Sequence, residues 1–566
     1  MNDSVKQPTV APDDSRPPRP AATLLLVRSR PDHSTGIEVL LLKRSDVKDQ
    51  NSGAWVFPGG VVDKADSKAE SDSPGQADEF DDAAASARLG LSSGGLAYYV
   101  AAIRECFEET GLLLAVPRGI VSTFAPLAAQ RAALRGGTTT FNQVCDRAGL
   151  QLAAADLAYF SHWITPKGLP KRFDTRFFLA VAPSDQSAEH DGTEAVAHLW
   201  IDPNAALAHD SGLKLMNATR KVLANIARFR DVATLMAWAH APGPIAVIVP
   251  RFATFRDGRK AVLPDDSAWS EVCLVDPEDT GKAYGDLQPG RVVRLMDALI
   301  RVTANNGSAM TGAGTNSYLV GGGPRNEWAV IDPGPADADH IKVLQAAAPG
   351  SIRWIFATHS HLDHSPGIAL LKAATGAQVY GRLADHSEWQ DPTFSPDHRL
   401  AGGERIVLTD NIALRVIHTP GHASNHLCYL LEEQGVLITG DHLIQGSTVV
   451  INTPDGNMTC YLQSLSALLQ EQLLWLAPGH GFLMAEPATV IRKTIQHRMN
   501  REAKVIAALR QSPNVTVDEL LPQVYSDVPV AVHGMARRSL QAHLLKLLDE
   551  RVALEKQGLW SLGGHA

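Results

Sequence analysis

The sequence predicts a multidomain chain of α/β and α+β class: two chemically distinct halves followed by a helical tail. Three observations carry this. The chain has 566 residues, 45% hydrophobic and 20% charged, which is ordinary globular composition and enough for several domains. A helix-patterned segment in the first half carries three glutamates on one face. The second half is a series of apolar strand-like runs, several of which end on histidine or aspartate.

The net charge of −9 argues against bulk attraction to nucleic acid or anionic membrane, and leaves a local basic patch open. No apolar run approaches the ~20 residues needed to span a bilayer, so no membrane partner is expected. The opening MNDSVKQPTVAPDDSRPPRP is polar and proline-rich and does not read as a secretory signal. Cys106, Cys145, Cys273, Cys428 and Cys460 are scattered without a CxxC pair, which suits a reducing compartment. A cytoplasmic location is the expectation.

Residues 1–19 read as a flexible arm. Residues 20–240 form the first domain. In it, 21–42 gives two strands, WVFPGGVVD a glycine-rich loop, and about 67–97 a surface insertion. Residues 98–114 are helical in pattern, 176–181 and 197–201 are strands, and 213–240 is one long helix. Proline density marks a connector over 241–290. Residues 291–500 form a β-rich domain with strands TNSYLVG, WAVIDPG, RWIFATH, LRVIHTP, LCYLLE, VLITGDH and LLWLAPGH. Residues 501–566 form the tail.

Residues 358–364, THSHLDH, place His359, His361, Asp363 and His364 in the turn leaving an apolar strand. His422 follows LRVIH, Asp441 follows VLITG and His480 follows LLWLA. Ligands that leave the same end of successive strands would converge on one edge of a sheet, with imidazole and carboxylate donors suited to a metal. Three imidazoles and a carboxylate so close contribute little packing and repel on protonation, so a purely structural role is disfavoured.

On these residues, HSHLDH, the HTPGH histidine, the TGD aspartate and the PGH histidine, the region resembles the metallo-β-lactamase fold superfamily over about residues 295–500. The resemblance implies an αββα sandwich and two zinc ions. His359, His361 and His422 would hold one; Asp363, His364 and His480 the other; Asp441 would bridge. Two metals can share and acidify one bridging water, with Asp363 as catalytic carboxylate. Asp at 441, where true β-lactamases of this fold usually carry Cys, disfavours antibiotic hydrolysis. HxHxDH in place of HxExD disfavours the oxygen-reducing diiron branch. Only 38 residues separate Asp441 from His480, too few for the inserted domain of β-CASP nucleases. Ester, thioester or phosphodiester hydrolysis remains, as in glyoxalase II relatives or RNA cleavage. MTGAGTNSYLVG, IDPGP and NTPDGNMTCYLQSL resemble the β-lactamase-like protein 2 group, whose animal member is associated with single-stranded RNA cleavage.

In the first half, REcFEETGL places Glu105, Glu108 and Glu109 at i, i+3 and i+4, on one helix face. Like charges so spaced destabilise a helix by a few tenths of a kcal/mol per pair, and a divalent cation reverses that. Ile103 and Phe107 lie off that face, and Gly111 fits a helix stop. FPGGxxxxxD followed by REcFEETGL resembles the Nudix signature and hence an α/β/α sandwich, with Gly60 as its first glycine and Asp66 where a glutamate is expected. There are 37 residues between Asp66 and Arg104 where seven are usual. The coenzyme A and acyl-CoA diphosphatase subgroup carries a comparable interruption, and WITPKGLPKRFDTRFFLA also resembles it. The resemblance covers about residues 20–240. It implies magnesium or manganese held by Glu105, Glu108 and Glu109, with help from the Gly59 carbonyl, and diphosphate hydrolysis with Glu105 as catalytic carboxylate. Glu194, in a loop with Glu189 and Asp191, is a candidate distal base. Arg104 would orient the glutamates through ion pairs. Lys171, Arg172 and Arg176 are candidates for phosphate contact, or exposed charges flanking a strand.

Residues 491–511 hold Arg492, Lys493, Arg498, Arg501, Lys504 and Arg510 against one glutamate. The remainder reads helix, helix, hairpin, a winged-helix-like order. It serves either as a lid on the metal site, the favoured reading, or as a nucleic-acid reader. The leading expectation is a zinc hydrolase fused to a Nudix diphosphatase, acting on small molecules such as CoA or nucleotide derivatives. The alternatives are a zinc-dependent single-strand endoribonuclease that uses the basic tail, and a Nudix half that senses nucleotides without turnover.

Overall fold

The computed structural model describes residues 16–31, 36–45, 52–68, 80–117, 127–241 and 243–563. Most of the expected arm and residues 69–79 of the expected insertion lie outside them. The chain divides into two compact units, Met1–Arg251 and Phe252–Ala566.

The first unit is built on a mixed sheet. Its central strand, Arg19–Ser29, pairs in parallel with Phe173–Val181 and antiparallel with Ile37–Arg44. Its beginning also pairs with Gly59–Val61, Thr23 opposite Gly59 and Ala22 opposite Gly60. That pairing brings the glycine-rich loop over the sheet centre. A Cβ on Gly59 would lie 2.5 Å from the Ala22 carbonyl oxygen, so the approach requires glycine.

The glutamate-bearing helix is Leu96–Thr110, stopped by Gly111 at φ 76°. It buries Tyr99, Ile103, Cys106 and Phe107 in one core with Leu24, Leu26 and Phe178 of the sheet. The expected insertion contains a helix, Asp82–Leu89, because Asp81 caps it by accepting the Ala84 N–H. The single helix expected over 213–240 is two, Asn217–Ile226 and Val232–His240. The break comes where the Asp231 carboxylate accepts the Thr234 N–H at 2.8 Å and caps a fresh start. Apolar periodicity runs through both helices and hid the cap.

The second unit packs two sheets face to face. The seven-stranded sheet runs Val292–Met296, Leu299–Thr303, Asn316–Gly322, Glu327–Ile331, Ser351–Phe356, Gln378–Gly381, His398–Arg399. The six-stranded sheet runs Arg405–Thr409, Ile412–His418, Leu427–Leu431, Val436–Gly440, Trp475–Pro478, Met484–Ala485. Alternate side chains serve opposite faces, as the pleat dictates. Tyr318, Val320, Ile331 and Phe356 meet Leu414, Tyr429, Leu431 and Ile438 between the sheets. Leu319, Val330 and Ile355 face the helices Ala338–Ala347 and Gly367–Thr375. Cys428, Leu430 and Leu437 face the helix Met458–Leu468. Both faces of both sheets are covered, so the strands read as near-continuous apolar runs.

The helix Pro487–Gln511 leads into Val517–Val524, His533–Asp549 and the hairpin Ala553–Lys556 with Leu559–Leu562, around Val505, Leu509, Leu540, Leu544 and Trp560. Of the six expected basic residues, Arg498 and Arg501 are internal, and Arg492, Lys493, Lys504 and Arg510 are exposed. Arg498 donates to the Val449 carbonyl. Arg501 is buried, donates to the Val524 carbonyl at 2.6 Å and pairs with Asp527, as does Lys504.

Within the segment 252–290 the helix Trp269–Val275 carries Glu271, whose buried carboxylate takes both terminal nitrogens of Arg301 at 2.5 and 2.8 Å. It also accepts the Leu483 N–H at 3.0 Å, three residues beyond His480. Glu271→Ala leaves a buried guanidinium unpaired, and a loss of about 3–5 kcal/mol is expected for this unit. Denaturant unfolding followed by tryptophan fluorescence reads this as a lower midpoint. An unchanged midpoint would mean that the pair is dispensable.

Candidate functional site

The expected ligands of the second unit come together at the ends of strands from both sheets, not along the edge of one. His359, His361, Asp363 and His364 follow Ser351–Phe356 of the seven-stranded sheet. His422, Asp441 and His480 follow three strands of the six-stranded sheet. The side chains form two groups with ligand atoms within 4.8 Å of one another: His359, His361 and His422; and Asp363, His364, Asp441 and His480.

In the first group His361 Nδ1 lies 3.0 Å from both His359 Nε2 and His422 Nε2. In the second, His480 Nε2 lies 3.3 Å from Asp363 Oδ2 and from Asp441 Oδ1, and His364 Nε2 lies 3.5 and 3.4 Å from the same two oxygens. The other oxygen of Asp441 faces His422 at 3.7 Å. Asp441 therefore stands between the groups.

The outer ring nitrogens have fixed partners. His422 Nδ1 donates to the Val450 carbonyl at 2.7 Å, His480 Nδ1 to the Gly314 carbonyl at 3.2 Å and His364 Nδ1 to the Asp332 carboxylate at 2.8 Å. In a neutral ring each donation leaves a lone pair facing inward. His364 Nε2 and Asp441 Oδ1 are buried and take no hydrogen bond. Tetrahedral ligands about 2.1 Å from a zinc stand about 3.4 Å from one another, which is the spacing of the second group. The residues thus fit a pair of divalent cations in spacing, donor type and lone-pair direction.

The two groups differ electrically. Burial, then His422, lowers His361 to about 3. Burial also acts on His480, but Asp441 and Asp363 outweigh it and raise the ring to about 10. Two carboxylates in one buried pocket attract positive charge, which a divalent cation supplies in place of protons.

Several supporting residues went unnoticed in the sequence. Asp332, 2% exposed, accepts from the Thr358 N–H at 2.7 Å, the Thr358 hydroxyl at 2.6 Å and His364 Nδ1. The IDPGP segment was visible, but only as the end of a strand and as part of a family likeness. His426, fully buried, accepts the Asp441 N–H at 3.2 Å through Nε2 and so sets the ligand's backbone. Gly440, at φ 44°, leaves no room for a Cβ, which would sit 2.5 Å from Thr358 Oγ1 and 2.9 Å from His426 Nε2.

In the first unit Arg104 closes the gap that the long spacing opens. Its guanidinium grips the Asp66 carboxylate through Nε at 2.8 Å and Nη2 at 3.0 Å. Its Nη1 reaches Glu105 at 2.9 Å and Glu108 at 3.3 Å. Glu109 accepts the Gly59 N–H at 3.1 Å. Burial, only partly offset by Arg104, raises Glu105 to about 7. Burial and then Glu105 raise Glu109 to about 8. Carboxyls so raised gain most from a bound cation.

These glutamates line a cleft of about 630 Å³ with Gly59, Gly60, Glu194, Asp191, Arg44 and Arg135. The expected phosphate contacts lie elsewhere. Arg176 is buried, pairs with Asp174 at 3.3 Å and lies 4.4 Å over the Tyr98 ring. Arg172 donates to the Thr165 carbonyl at 3.1 Å. Neither they nor Lys171 are among the residues lining the cleft; Phe173 and Thr175 line it instead. Strand alternation sends Arg176 to the helix side of the sheet, with Phe178.

Comparison with known proteins agrees with both halves. Residues 310–480 match the metallo-beta-lactamase superfamily and 516–560 the beta-lactamase associated winged helix domain. Residues 17–131 match the NUDIX domain and 76–216 the NUDT19 Nudix domain. A beta-lactamase-like protein 2 homolog of Drosophila melanogaster is 30% identical over 272 residues, 46% of this chain and 90% of that protein. An atrochrysone carboxyl ACP thioesterase of Aspergillus chevalieri is 31% identical over 280 residues, 47% of this chain and 86% of that protein. A solved NUDIX hydrolase from Alicyclobacillus acidocaldarius is 29% identical with a TM-score of 0.33, covering 39% of this chain and 96% of that one.

Removing the Asp332 carboxylate frees Thr358 and His364 together. Asp332→Ala is expected to weaken metal binding about 10–100-fold, measured by competition with a chromogenic chelator. Wild-type affinity in the variant would mean that the ligands hold their places unaided.

Proposed function

The chain belongs to the metallo-beta-lactamase superfamily and carries a Nudix domain ahead of that half, and from that membership we propose a two-site hydrolase. The second unit hydrolyses thioesters at a dinuclear zinc centre. The first unit cleaves diphosphates of the coenzyme A class with magnesium or manganese. The observation that carries the reading is the arrangement of seven ligands in two groups with Asp441 between them.

His359, His361 and His422 would hold one zinc, Asp363, His364 and His480 the other, and Asp441 both. When bound, zinc supplies Lewis acidity and lowers the pKa of water. The chain's own residues do the rest. Asp332, the Val450 carbonyl and the Gly314 carbonyl keep ring protons on the outer nitrogens. Asp363 is more open than Asp441, with 30% against 13% of its side chain exposed. It is the carboxylate placed to take a proton from the attacking water.

Two points favour a thioester over RNA. A relative covered over most of its length is named a thioesterase. Arg498 and Arg501, two of the six basic residues of that helix, are spent inside the protein, which removes part of the cationic surface that a phosphate backbone would need.

In the first unit, Glu105, Glu108 and Glu109 would hold the cations, whose positive charge offsets that of the diphosphate. Arg44 and Arg135 line the same cleft. The Arg104–Asp66 pair assembles the interrupted motif, which favours turnover over a silent sensing role.

Elemental analysis of wild type against His361→Ala tests the first half of the proposal, with about two zinc per chain expected in wild type and a fall in the variant. Acyl-CoA thioester hydrolysis should vanish in His361→Ala and persist in Glu109→Gln. Hydrolysis of the CoA diphosphate should show the reverse. Equal turnover in wild type and both variants would sink the assignment.

A further inference from the structure

Trp389 stands out on the second unit. It is a large aromatic residue, 53% exposed, with a backbone φ of 68°. That conformation costs energy for any residue but glycine, and such strain concentrates where a side chain has a task. The segment carrying it is tied to the metal ligands. Gln390 bridges His361 through the backbone. Its side chain accepts the Ser360 hydroxyl at 2.7 Å and donates to Asp455 at 3.0 Å. The Asp391 N–H donates to the Ser360 carbonyl at 2.6 Å, and the Asp391 carboxylate accepts the Ser365 hydroxyl at 2.9 Å. The hydrogen bonds thus anchor the two residues after Trp389 to the ligand turn.

The tail reaches the same place. From the helix His533–Asp549, the Arg538 guanidinium lies 4.7 Å over the Trp389 ring. A cation on one face of an indole steadies the ring, and half of the residue remains open to a ligand. Leu362, between the ligands His361 and Asp363, is 57% exposed. Leu362 and Trp389 each adjoin the His361–Gln390 bridge in sequence, which sets two exposed apolar residues next to a polar ligand cluster, a mixed surface of the kind that takes an amphipathic ligand.

We propose that Trp389, steadied by Arg538, is the specificity-determining residue that receives the apolar acyl group of the thioester substrate. This rests on the thioester reading above. The tail then acts on the hydrolytic site through this contact, and acyl groups of several carbons are preferred over acetyl.

The test uses full-length, zinc-loaded protein with octanoyl-CoA and acetyl-CoA. Trp389→Ala is expected to lose about tenfold in kcat/KM on octanoyl-CoA, mostly through KM, and to stay within about twofold on acetyl-CoA. Trp389→Phe should recover most of the loss, and Arg538→Met should move the same ratio in the same direction. An equal loss on both substrates, or none on either, overturns the proposal. Binding of octyl-CoA, a thioether that cannot be hydrolysed, is followed in parallel by calorimetry. Wild-type binding no tighter than that of CoA overturns the proposal as well. A preference for octyl-CoA that Trp389→Ala abolishes, in a protein without thioester turnover, upholds the acyl site and overturns the thioester reading alone.

Discussion

The second unit turns on one buried carboxylate. Asp332 ends the strand Glu327–Ile331, and its backbone N–H donates to the Phe356 carbonyl at the end of the neighbouring strand. Its side chain then gathers Thr358 and His364 from the turn that follows. Four ligands sit in that turn, so its shape decides whether they meet those from the other sheet. A buried carboxylate in such a place is tolerated only because donors surround it. The backbone φ of 51° at Asp332 is a local strain that these bonds offset.

The fold class and the seven residues that gather in the two groups were legible because both are written in residue type and order. Apolar runs ending on His or Asp show where strands stop and which side chains follow. What was not legible depends on contacts between distant segments. Two sheets, not one, supply the ligands, because strand order within a sheet leaves no trace in a single sequence. Asp332 looks like a strand end and His426 like a core residue until their partners are in place. Arg176 lies away from the glutamate cleft because alternation sends it to the helix side. Arg498 and Arg501 count as surface charge in a composition and are interior in the fold, where hydrogen bonds to backbone carbonyls meet the cost of burial.

The two halves solve one problem differently. Each must hold carboxylates together in a buried place before a cation arrives. The second unit dilutes negative charge with imidazoles, so that Asp363 and Asp441 face His364 and His480. The first unit has no histidine at its helix face and uses Arg104 in that role. The guanidinium also reaches Asp66 across the long interruption, so the spacing is a matter of chain length and not of geometry.

The buried Glu271–Arg301 pair bears on how this half can be isolated. A fragment cut at residue 291, where sequence alone sets the start of the β-rich domain, would discard Glu271. A permanent positive charge would then sit in the middle of a sheet, and the loop after His480 would lose its acceptor at Leu483. A truncation meant to yield a soluble, metal-competent hydrolase should therefore begin ahead of the strand Arg251–Phe255.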